Sequence, residues 1–412
     1  MVTRRQFISA LAATPLVSML GSKPSFALPT NDYKALVCVF LFGGNDGFNM
    51  LVPTSDSHYD EYARARPDIA LAKESLLPLT LATGSTLSFG LHPAMNELQA
   101  LVNRGKAIPI VNSGVLVEPT TKEELLNGTR ALPPFLFSHN SQQAEWQRGW
   151  AGSSSTLGWA GRMMDVLSNG QLEVSPTFSI NGYVQWLNGE KQRANLINPD
   201  GMPTLWANNN TLRKQSFDQV LALQTDSLFA QAFDQVKSDS ITIRDQLSAA
   251  LTSSPEEPHF PDNRLGQQLH TVARLIKSSE QLGHQRQVYF VGMGGYDTHA
   301  NQLVAHQVTT MTMSDFGRRL ASNGSGTDHG WASNHWVMGG ALQSGRIYGQ
   351  WPSLVLDGEN DFNRGRMIPT TSVEQIGATV AKWMGIQTEQ QLLDIFPNLK
   401  HFAQKDLGFL AG

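Results

Sequence analysis

A single cysteine, Cys38, occurs in 412 residues. It forbids an intramolecular disulfide and any cysteine-based zinc cluster. Charge is sparse as well: 16% of residues are charged, the formal net charge is −4, and no long Lys/Arg run occurs. That balance argues against a nucleic-acid partner. No Gly-x-Ser-x-Gly elbow is present, so an α/β-hydrolase nucleophile is not expected, and there is no Walker A motif. Gly292-Met293-Gly294-Gly295-Tyr296-Asp297 lacks the third glycine of a dinucleotide fingerprint and opens no clear helix. Internal repeats and low-complexity tracts are missing too. What remains is a chain with 41% hydrophobic residues, long enough to bury a large core and too apolar for disorder. Any metal chemistry must use His, Asp, Glu, Asn or hydroxyl groups.

The first 27 residues read as an export signal rather than as part of the fold. Thr3-Arg4-Arg5-Gln6-Phe7 precedes a modestly apolar run from Ile8 to Leu20 that contains Pro15. The run is too short to span a membrane, and Ser25-Phe26-Ala27 supplies the small residues a signal peptidase needs. The arginine pair followed by Gln-Phe-Ile resembles a Tat signal. The expectation is a single mature domain, 28–412, delivered by the Tat translocon to the periplasm or exterior, with no stable membrane span after cleavage.

Four apolar runs read as strands. Ala35–Phe42 ends in Gly43-Gly44-Asn45-Asp46-Gly47, and Ala107–Asn112 is a shorter candidate. Val288–Val291 ends in Gly292-Met293-Gly294-Gly295, and Val308–Met313 ends in Ser314-Asp315. Continuous apolar runs of this kind suit strands buried on both faces. Helical patterns fill Leu212–Leu251, Asn263–Leu282 and Ser372–Met384, the second with Leu265, Leu269, Val272 and Ile276 on one stripe. Strands separated by helices predict an α/β fold with a doubly wound, mostly parallel sheet.

Ligands in such sheets gather at the carboxyl ends of strands, and polar clusters stand there. Asn45 and Asp46 follow the first strand; Asp297, His299, Asn301 and Gln302 follow the third; Ser314 and Asp315 end the fourth. Asp328, His329 and His335 follow in a Gly-rich stretch. Extended backbone puts Asp297 and His299 on one face and sends Asp328 and His329 to opposite faces. Adjacent Asp328 and His329 therefore suit two metals, or one ligand and one supporting partner. Carboxylate and imidazole together suit divalent Zn, Mn, Mg or Ca. Each feature has a plainer reading. Asp46 fits ordinary turn chemistry, Asp297 and His299 fit a helix cap, and Trp146, Trp150 and Trp159 fit a core wall better than a sugar platform.

Phe40–Asn49, Gly295–Gln302, Ser314–Arg318, Gly326–Gly330, Met338-Gly339-Gly340 and Gly345–Gly349 in this order closely resemble the domain-of-unknown-function 1501 family. Those Tat-exported bacterial proteins are grouped with the alkaline phosphatase and sulfatase superfamily. The resemblance implies an alkaline-phosphatase-like fold and a two-metal centre for phosphate or sulfate esters. It aligns Asp46 with the superfamily's first metal-binding aspartate, Asp297 and His299 with the first-metal pair, Asp328 and His329 with the second, and His335 with the last histidine. Ser138 falls where the family carries a Ser-His pair, as nucleophile or simple N-cap, and His139, Arg318 or Arg346 would hold the anionic group. The competing expectation is a non-catalytic periplasmic binding or assembly protein on the same fold.

One departure stands out. Only eight residues, 300–307, separate His299 from Val308, whereas a parallel crossover needs a dozen or more. If the third and fourth strands are neighbours, one sheet face loses its cover. An exposed apolar patch beside Val288–Val291 and Val308–Met313, a misplaced Asp297/His299 pair and weak catalysis would follow.

Overall fold

The structure, a computed structural model, describes residues 33–81, 87–168, 173–199, 201–202, 210–221, 227–254, 260–297, 311–343 and 345–410. The signal segment 1–27, His299, Asn301, Gln302 and the connection 300–307 lie outside them.

The principal strands are β1 (Lys34–Leu41), β2 (Ala107–Gly114), β3 (Thr177–Ser179), β4 (Asn195–Leu196), β5 (Arg286–Met293) and β6 (Thr312–Ser314), followed by β7 (Arg318–Ser322), β8 (Thr327–His329), β9 (Ser333–Met338) and β10 (Thr371–Ser372). The principal helices are α1 (His139–Arg148), α2 (Trp159–Leu167), α3 (Thr211–Leu221), α4 (Leu228–Ser253), α5 (Arg264–Lys277) and α6 (Val373–Met384). A five-stranded sheet runs in the order β4-β3-β5-β1-β6, and every pairing in it is parallel. Helices flank it, giving an α/β fold.

Alternation along β1 explains the layering. Leu36, Cys38 and Phe40 pack with Trp146 of α1, Trp159 and Met163 of α2, and Ile376 of α6. Val39 and Leu41 point the other way, onto Leu265, Leu269, Val272 and Leu275 of α5 and Leu247 of α4. A two-residue period on a strand and a 3.6-residue stripe on a helix make that double cover. Cys38 is fully buried. Helix α5 starts where the Asn263 side chain accepts from the Gly266 N–H, and α6 starts with a capping box between Ser372 and Gln375.

Several expectations need correcting. The helical stretch 212–251 divides into α3 and α4, and the fourth strand is Thr312–Ser314, with 308–310 outside the described residues. β2 belongs to a separate sheet, antiparallel to β9 and parallel to β10. β5 and β6 are not neighbours, since both flank β1. The expected exposed patch is not there: Val288–Val291 and Met311–Met313 are buried. Cover for β5 comes from α5, which precedes it in sequence, and cover for β6 from α1.

Candidate metal centre

The loops at the carboxyl ends of β1, β5 and β6 meet at one edge, the switch point where open α/β sheets hold ligands. Two glycines permit that meeting. At Gly43, with φ +117, a Cβ would lie 2.3 Å from the Asp297 nitrogen; at Gly44, with φ +93, it would lie 2.6 Å from the Phe316 ring. Neither position accepts a side chain.

Three side chains converge here. His139, the first residue of α1, Asp297 beyond β5 and His329 at the end of β8 offer ligand atoms all within 4.8 Å of one another. The Nε2 of His139 is 3.6 Å from one Asp297 oxygen, and the Nε2 of His329 is 3.4 Å from the other. These separations exceed the usual hydrogen-bond length. They are of the order of the roughly 3.4 Å that separates two ligands on metal–ligand bonds of about 2.1 Å.

The far side of each imidazole is fixed. His139 Nδ1 lies 2.6 Å from Asp315 Oδ2, and His329 Nδ1 lies 2.9 Å from the Phe137 carbonyl oxygen. A carbonyl can only accept, so the Nδ1 of His329 carries the proton and its Nε2 turns a lone pair toward Asp297; an ionised Asp315 imposes the same tautomer on His139. This is the supporting arrangement that metal-binding histidines use. Phe137 delivers its carbonyl from a strained backbone, φ +77, the kind of strain that collects at functional sites. Phe316 lies against both rings, its centroid 4.8 Å from His139 and 4.5 Å from His329.

Asp315 is buried, and its Oδ2 also accepts from Gln143 Nε2 at 2.9 Å and the Gly43 N–H at 3.2 Å. Burial pushes its carboxyl above the usual range, with the Gln143 and His139 hydrogen bonds opposing. Burial likewise holds His329 below the ordinary imidazole range, with the Phe137 carbonyl opposing. The His329 shift favours a neutral, lone-pair-bearing imidazole.

Strand register explains which residues enter the site. Arg318 on β7 stands opposite His329 on β8, so both reach Asp297, with Arg318 at 2.8 Å. Their neighbours Arg319 and Asp328 turn to the other face and pair at 2.6 Å. Asp328, read from sequence as a second-metal ligand, therefore engages Arg319 and Asn323. Asp46 is likewise away from the triad, held by two buried contacts to Arg66 at 2.6 and 2.8 Å. His335, on β9, is sealed between Trp146 and Thr312, and burial drops it to about 3. Arg318 is fully buried, with further contacts to Gly43 and Thr327, so as placed it holds Asp297. Ser138 is the exposed N-cap of α1, and its hydroxyl makes no cap hydrogen bond. Arg346 lies elsewhere, over Tyr348.

Sequence reading named His139 as an anion holder and did not group it with Asp297 and His329. It singled out Asp315 only as a polar strand end, and Gln143, Phe137 and Phe316 not at all as supporting groups. The available signal was Asp315 itself, an acid directly ending an apolar strand.

No helix among the described residues is long and apolar enough to cross a membrane. No curated protein and no solved structure matches the chain. Residues 305–396 match the model of a family described as protein of unknown function, DUF1501. That match supports the DUF1501 family over the stretch that carries Asp315, Arg318, His329 and His335.

Proposed function

We propose that His139, Asp297 and His329 hold one divalent cation, and that the protein is an exported hydrolase of phosphate or sulfate esters, of alkaline-phosphatase type. The observation that carries the reading is the convergence of three ligand atoms within 4.8 Å, with the Nδ1 of each imidazole held by a partner on its far side. The donor set of two imidazoles and a carboxylate suits Zn or Mn best. A bound cation would polarise the ester and lower the pKa of an attacking hydroxyl or water.

The chain's own groups have definable tasks. Asp315 and the Phe137 carbonyl orient the two imidazoles. Arg318 balances the Asp297 charge and fixes its rotamer. Ser138 presents a hydroxyl one residue from His139, at the start of α1, where it would act as nucleophile. The competing reading, a non-catalytic periplasmic binding or assembly protein, is favoured by one observation: Arg318 already neutralises Asp297 without a metal ion.

Elemental analysis of chelator-free protein, combined with a screen of phosphate and sulfate esters, separates the two. The hydrolase reading expects about one metal per chain and a turnover lost in both His329→Ala and Ser138→Ala. Metal lost in His329→Ala with no ester cleaved by the wild type leaves the binding protein; no stoichiometric metal overturns the centre.

A further inference from the structure

A second site lies away from the triad, against β2. A cavity of about 320 Å³ is lined by Arg346, Tyr348, Gln350, Thr371, Gln375 and Gln404, with Ile347 and Leu407 as its apolar wall. That volume is at the lower end of small-molecule sites. None of His139, Asp297 and His329 lines it, and neither does any carboxylate.

Three features make it a prepared anion site. The Arg346 guanidinium carbon lies 4.9 Å from the centre of the Tyr348 ring, and the arginine is exposed and makes no ion pair among the described residues. Tyr348 is itself immobilised: it is buried, its hydroxyl donates to the Gln343 carbonyl at 2.9 Å, and its ring packs on Phe409. Stacking therefore orders a cation that no protein carboxylate uses.

Thr371 supplies the second feature. It is 2% exposed, yet its hydroxyl has no hydrogen-bond partner among the described residues. A hydroxyl without a protein partner on a cavity wall can donate to a ligand there. The third is Gly349, with φ +90, where a Cβ would stand 2.4 Å from the Val111 carbonyl oxygen and 2.7 Å from the Thr371 hydroxyl. Glycine there keeps the hydroxyl uncovered.

We infer that this cavity binds a small molecule through a tetrahedral oxyanion, a phosphate or sulfate group. Arg346 supplies the charged fork and Thr371 a hydroxyl, and Gln350 and Gln404 line the same cavity. Donors from several directions suit a tetrahedral group better than a planar carboxylate. Ile347 and Leu407 face the remainder of the molecule. The site stands or falls independently of the metal centre.

The test is calorimetric titration of the full chain with inorganic phosphate, inorganic sulfate and acetate, with EDTA present. Phosphate or sulfate should bind wild type and His139→Ala alike, with acetate at least tenfold weaker. Arg346→Gln, a surface change, should weaken binding at least tenfold, and Thr371→Val severalfold. No binding to wild type overturns the inference. So does a change below threefold in Arg346→Gln, which would place the anion elsewhere, or acetate binding as tightly as phosphate.

Discussion

The carboxylate of Asp315 reaches the Nδ1 of His139 at 2.6 Å across 176 residues of chain, joining the end of β6 to the start of α1. Through that contact the sheet dictates which imidazole nitrogen faces Asp297. Replacing Asp315 by Asn removes the basic partner and frees the ring to change tautomer. Such supporting groups are worth roughly 10–100-fold in metal affinity. Because burial already disfavours the Asp315 charge, the metal-free protein should keep its melting temperature. A zinc competition titration beside a thermal melt reads both. Unchanged zinc affinity in Asp315→Asn would remove Asp315 from the centre.

Asp46 and Arg66 form a buried pair with side-chain exposures of 2% and 0%. Removing one partner strands the other charge without solvent, a loss of about 3–5 kcal/mol. Asp46→Ala should therefore unfold at much lower denaturant while binding the same amount of metal. Loss of metal with stability intact would return Asp46 to the ligand set.

The sequence made the ends of β1, β5 and β6 legible because apolar runs stop abruptly at polar turns. It singled out Asp297 and His329, which the structure brings together because a parallel sheet gathers such ends. Arg66 carried no signal at all: it follows a short amphipathic helix, and only the fold brings it under Asp46. The division between His329 and Asp328 was half visible, because alternation separates adjacent side chains. Which of the two faces inward depends on the β7–β8 register, a non-local property. His139 was named only as an anion holder, because its partner is set by tertiary packing of α1 on β6.

Export is tested outside the fold. The pair Arg4-Arg5 precedes a run of modest hydrophobicity, the combination that suits Tat rather than Sec. Changing both to Lys should leave full-length precursor in the cytoplasm, seen by fractionation and immunoblotting. Normal export of that double variant rules out the Tat route.

Glu374, at the start of α6, is fully buried. One oxygen accepts from the Ala151 N–H and from Asn398, each at 3.2 Å, and the other has no partner among the described residues. Burial raises its carboxyl to about 8, against 4.5 for the ordinary group. Between those values the unfolded chain has released a proton that the folded chain keeps, so stability falls as pH rises and levels off above 8. His335 and His284 act in the opposite sense. Burial lowers them to about 3 and about 4 from 6.5, so below pH 6.5 the unfolded chain takes up protons the folded one refuses. The two effects together place maximum stability near pH 6.5. From there to pH 8 the Glu374 contribution falls by about 2 kcal/mol, at roughly 1.4 kcal/mol per unit. Glu374→Gln keeps the shape and removes the titration, so its stability should stay level across that interval. Urea unfolding of both proteins at pH 6.5 and pH 8 measures the difference directly. An equal decline in wild type and variant would show that the alkaline loss arises elsewhere and that Glu374 is already ionised in the fold.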